Sequence, residues 1–234
     1  MTKLKVVGLM LMLAYSQIGF SMTESDLTAK TPACVGKTKT IPQEVKSEPT
    51  LGSSMRAVDW LDIDADGQCD IVAFSQESME DEGEQVLMFF MRRNKRYVYD
   101  SYDMAGRTMK LTPIYIKNGG PPFLVIHRTE SKSSPPEYVV RRWEIKSAKF
   151  VTYKFLGLEK IDVERFNDAE ATTAMLFYVR HLIEKTTKQL ELGDQPFWLY
   201  EEIAGLAKRM DGDRYPELSE MLFQLSDKLL KSSH

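Results

Sequence analysis

The sequence predicts an α+β fold, an antiparallel β meander followed by a C-terminal region of three helices. Three observations carry this reading. Strand-length runs of β-branched and aromatic residues alternate with charged or Gly/Pro-rich turns from Arg56 to Phe155. From about Asp162 the apolar period becomes that of helices. Between the first two strands lies Asp62–Asp70, DIDADGQCD, with four aspartates in nine residues.

The segment boundaries that follow are an export signal over 1–21, an extended arm over 22–50, a β domain over 51–158 and a helical region over 159–234. Lys3 and Lys5 precede the apolar run Val6 to Ala14, and Gly19 and Ser21 suit a signal-peptidase site after Ser21. Tyr15, Ser16 and Gln17 interrupt the run well short of the ~20 apolar residues that span a bilayer. The expectation is a periplasmic or secreted protein with no stable membrane anchor after cleavage. The absence of any N-x-S/T sequon favours the periplasm. Net charge is −3 and there is no polybasic tract, which argues against nucleic acid as a partner. Residues 22–50 are polar and punctuated by Pro32, Pro42 and Pro49, hence the arm.

A strand, Arg56 to Leu61, leads into the aspartate run. Asp62, Asp64, Asp66 and Asp70 stand at positions one, three, five and nine, and Gly67 at six permits a sharp bend. The Gln68 backbone carbonyl would add an oxygen at position seven. Carboxylates this dense repel one another unless a cation lies among them, and all-oxygen ligands suit Ca²⁺. An EF-hand would place Glu at position twelve, where this chain has Ala73, and Ile71–Phe74 reads as a strand. A DxDxDGxxD loop running into a strand resembles the calcium loop of FG-GAP repeats, as in integrin alpha propellers. The resemblance covers about fifteen residues and implies a metal-stapled β module, without naming a function.

The mature chain keeps two cysteines, Cys34 and Cys69. In an oxidising compartment such a pair predicts a disulfide, which would pin the arm onto the aspartate loop.

The strands continue in order. Ile71–Ser75 precedes an acidic loop with Glu77, Glu80, Asp81, Glu82 and Glu84. Val86–Met91 is apolar without a break, which predicts burial on both faces. The basic turn Arg92-Arg93-Asn94-Lys95-Arg96 leads into Tyr97–Tyr102. Then come Met109–Ile116, the turn Asn118-Gly119-Gly120-Pro121-Pro122, Phe123–Ile126, and a hairpin of Glu137–Ile145 with Lys149–Phe155. Arg96-Tyr97-Val98 aligns with Lys149-Phe150-Val151, so two readings stay open: two related blade-like units, or a meander with similar turns. Two units cannot close a propeller, so their faces need another cover.

The helices can supply it. Met175, Leu176, Val179, Leu182, Ile183 and Leu190 share one face, and Gly193-Asp194 ends that helix. A second begins near Pro196 with Ile203, Leu206 and Met210 on its apolar stripe. A third begins at Pro216, with Leu218, Leu222, Leu225 and Leu229 aligned.

No nucleophile or metalloprotease motif is present, and His127 and His181 are single histidines on a strand and a helix. The expected function is therefore non-enzymatic: an exported protein-binding module, of the immunity or inhibitor kind, that neutralises a toxin or envelope hydrolase. Its expected contact residues are Glu80, Asp81 and Glu82 at one end of Val86–Met91 and Arg92, Arg93 and Arg96 at the other. The alternatives are a calcium-dependent adhesion or carbohydrate-binding protein, and a carboxylate-dependent hydrolase using Asp59 or Glu144.

Overall fold

The computed structural model describes residues 22–231 apart from 39, 48–54, 77–84, 106–107, 130–136, 157–158, 161–167, 195, 197–198 and 211. Among these residues ten strands form two antiparallel sheets. The first holds β2 (Met55–Leu61), β3 (Asp70–Gln76), β4 (Gln85–Arg93) and β5 (Arg96–Ala105) in that order. The second holds β6 (Thr108–Ile116), β7 (Phe123–Thr129), β8 (Glu137–Glu144) and β9 (Lys149–Leu156). It is edged by the two-residue strands β1 (Leu27–Thr28) and β10 (Glu159–Lys160). The export signal expected over 1–21 and the acidic loop 77–84 lie outside the described residues.

The two sheets repeat one plan. Each is a four-strand meander, and each strand of the second begins 52 or 53 positions after its counterpart in the first. The hairpin of β4 with β5 closes through Asn94 and Lys95, both at positive φ (51° and 67°), the turn whose twist matches paired strands.

Alternation along the strands sets the layers. Val72, Leu87, Phe89 and Met91 of the first sheet face Leu124, Ile126, Val139 and Trp143 of the second. The opposite face of the first sheet, Ile71, Ala73, Met88 and Phe90, is sealed by Val45 and Ile41 of the arm. The unbroken apolar run of β4 is thus buried on both faces. The arm, expected to be merely extended, forms a one-turn helix α1 (Gln43–Lys46) over this sheet. Glu44 of α1 also caps the Tyr97 amide on the edge strand β5, which blunts that edge.

The far face of the second sheet, Phe123, Val125, Tyr138, Val140 and Phe155, meets the helices α2 (Asp168–Glu191), α3 (Tyr200–Arg209) and α4 (Pro216–Lys231). Ala174, Met175, Tyr178 and Val179 of α2 and the Leu218, Leu222, Leu225, Leu229 stripe of α4 fill this core. The second helix is described from Tyr200; residues 195 and 197–198, beside its expected start at Pro196, lie outside the described residues. The order of layers is arm, first sheet, second sheet, helices. No helix of the described residues is long and apolar enough to cross a membrane.

Candidate metal centre

The chain leaves β2 at Leu61, makes the aspartate loop and returns into β3, where Asp70 pairs with Leu61. Ala65 and Gly67 take positive φ (60° and 84°), and the loop folds onto its own carboxylates. Gly67 N donates to Asp62 Oδ2 at 2.9 Å, Asp66 N to Asp64 Oδ1 at 3.3 Å, and Gln68 N to Asp66 Oδ1 at 2.8 Å. One carboxylate oxygen each from Asp62, Asp64 and Asp70 lies within 4.8 Å of the others. Asp66 lies outside that triad and engages Gln68.

Asp70 is 1 % exposed, and both its oxygens accept backbone bonds, from Ile63 N at 2.9 Å and Arg92 N at 2.7 Å. Burial nevertheless pushes its carboxyl up to about 7, with the Asp64 and Asp66 charges adding to the shift. Burial also raises Asp62, whose Oδ1 is buried with no hydrogen-bond partner. Arg93 Nη1 donates to Asp64 Oδ2 at 2.5 Å. Burial disfavours the Arg93 charge, but the bond to Asp64 and the charges of Asp64, Asp70 and Asp66 together outweigh it and hold the guanidinium above its ordinary value. A cluster of carboxylates costly to ionise, with an orphaned oxygen among them, can hold a metal ion, which would favour their charged forms.

The disulfide Cys34–Cys69 is present and ties the arm to this loop. Val35 pairs in parallel with Gln68: Val35 N donates to Gly67 O at 2.9 Å and Cys69 N to Val35 O at 2.8 Å. Arg92 Nη1 donates to the same Val35 oxygen at 3.0 Å, passing over Gly36, where a Cβ would lie 1.4 Å from that nitrogen. In the second sheet the turn after Ile116 carries Asn118-Gly119-Gly120-Pro121 in place of the aspartates and offers no carboxylate.

Of the expected contact residues, Glu80, Asp81 and Glu82 lie outside the described residues. Arg92 and Arg93 turn inward, Arg92 over Tyr97 and Arg93 over Trp143, and Arg96 is exposed. Asp59 stands on β2, and Glu144 ends β8 opposite Lys149 on the other sheet.

A second polar cluster joins the second sheet to the helices. Glu202, 5 % exposed on α3, accepts from the Tyr178 hydroxyl and from Lys110 Nζ at 3.2 Å. His127 Nδ1 stands 3.7 Å from the same carboxylate and its ring stacks on Tyr138. Burial holds the His127 imidazole below its usual range; Glu202 pulls it up and Lys110 down. The sequence signals His127 only as an isolated strand histidine, because its partner lies 75 residues away.

No family model, curated protein or solved structure matches the chain.

Proposed function

We propose that this is an exported, non-enzymatic protein-binding module, of the immunity or inhibitor kind, whose binding end is held rigid by Ca²⁺ and the Cys34–Cys69 bridge. The supporting observation is that Asp70 accepts from both Ile63 N and Arg92 N, which makes the aspartate loop and the basic β4–β5 hairpin one unit. A binder gains affinity from a surface ordered before the partner arrives, and a cation among Asp62, Asp64 and Asp70 would supply that order. The hard oxygen donors favour Ca²⁺ over softer-ligand metals. The chain's own residues orient the loop: Arg93 balances Asp64, Gly67 N fixes Asp62, and the arm closes the outer side.

The test is thermal melting with excess calcium and with chelator. Calcium should raise the melting temperature by binding the folded state, and Asp64→Ala should remove the gain. Identical curves in both conditions would reject the calcium staple. Turnover of an envelope substrate, lost on Asp59→Asn or Glu144→Gln without unfolding, would reject the non-enzymatic reading.

A further inference from the structure

We infer that the β4–β5 and β8–β9 hairpin tips together form the docking surface, and that its occupant is an acidic protein segment carrying one apolar anchor residue. This rests on the protein-binding reading above and names the chemistry of the partner.

Between the two tips lies an open recess of about 180 Å³, walled by Met91, Arg93, Val98, Tyr99 and Asp100 from the first sheet and Trp143 and Ala148 from the second. One leucine-sized or phenylalanine-sized side chain fits such a space. The recess is open to solvent: Val98 in its wall is 51 % exposed, and Ile145 on the β8–β9 tip is 65 % exposed.

Charge selects the occupant. Lys95 and Arg96 on one tip and Lys146 on the other are exposed and make no ion pair among the described residues. Arg93 is already balanced by Asp64, and Lys149 stands across from Glu144. The chain as a whole is acidic, at −3, so three exposed cations on the two tips that flank the recess run against its overall sign. Asp100 forms part of the recess wall, and the aspartate loop lies directly beyond Arg93. A continuous polyanion, whether nucleic acid or an anionic bilayer, would meet these carboxylates. A peptide with a few carboxylates spaced around an apolar residue can reach the three cations and avoid them.

The probe is a labelled synthetic peptide with one leucine flanked by glutamates, titrated by fluorescence anisotropy at two salt concentrations. Wild-type protein should bind it with affinity that falls as salt rises. The triple variant Lys95→Glu, Arg96→Glu, Lys146→Glu, all surface changes, should bind about tenfold or more weakly. Replacing the peptide's leucine by glycine should cost about tenfold on the unaltered protein, a readout independent of how any variant folds. Equal binding by the triple variant, or by the glycine peptide, overturns the proposal. So does binding of phosphatidylglycerol vesicles or single-stranded DNA in preference to the peptide. Capture of an exported partner by wild type and triple variant alike would keep the protein-binding reading and overturn this surface.

Discussion

Arg93 donates to Asp64 Oδ2 at 2.5 Å across 29 residues of sequence, so a guanidinium stands where a metal ion would compete for the same carboxylate. The side chain of Asp64 is 9 % exposed and that of Arg93 39 %, which leaves the pair partly screened by water. Removing the competitor should strengthen calcium binding. Arg93→Gln is expected to lower the calcium Kd by about two- to fivefold, the value of a partly exposed ion pair. Calorimetric titration decides this, and an unchanged or higher Kd would show that Arg93 does not oppose the cation.

The Cys34–Cys69 bridge closes a loop with a sequence separation of 35. The chain-entropy model gives such a cross-link about 3–4 kcal/mol. The double variant Cys34→Ser, Cys69→Ser should lose that much in denaturant unfolding, with the arm leaving the Gly67–Cys69 backbone first. A loss below about 1 kcal/mol would mean that the parallel pairing of Val35 holds the arm without the bridge.

Gly36 and Gly67 both have positive φ, 97° and 84°, yet only Gly36 is crowded. Gly67→Ala meets no atom within 4 Å, so its cost is backbone strain alone, about 1–2 kcal/mol. Gly36→Ala must in addition expel the Arg92 guanidinium and break its bond to Val35 O. It should cost about 1 kcal/mol more than Gly67→Ala. Equal midpoints in urea would show that Arg92 moves aside freely.

His127 makes stability depend on pH. Its folded-state pKa lies below the ordinary 6.5, chiefly because the ring is buried. Below 6.5 the unfolded chain takes up a proton that the folded chain refuses. Stability is therefore full above that value and falls as pH drops towards the folded pKa. The groups around the ring are Glu202, Lys110 and Tyr138, and Tyr178 donates to Glu202 and packs on Tyr138. His181, also lowered by burial, acts in the same direction, and Asp70, raised to about 7, acts in the opposite one, so the contrast must be between variants. Between pH 7.5 and 5.5, wild type should lose more melting temperature than His127→Gln. Parallel losses would assign the pH dependence elsewhere.

The strands were legible because β-branched and aromatic runs sit between turns with Asn, Gly and Pro, and because Arg96–Val98 and Lys149–Val151 repeat at the strand spacing later seen. The helices were legible from leucine spacing, as in Leu218–Leu229. The order of layers was not. Val45 and Ile41 are single apolar residues in a polar arm, and only tertiary structure puts them on Met88 and Phe90. The basic turn also reads as solvated in sequence, whereas Arg92 and Arg93 reach back to Val35 and Asp64. The Glu202 cluster was invisible for the same reason: its members come from five separate elements, and none has a local signature.

A propeller blade is interchangeable because its neighbours are other blades. Here each sheet ends against something different, Val45 and Ile41 from before the meander on one side and the helices from after it on the other. The arm and the helices act as bookends. Excising one sheet would strip the other of half its lining, and adding a third would leave the arm or the helices facing the wrong partner. Among the described residues the two sheets share a plan but not a neighbour, so neither can take the other's place.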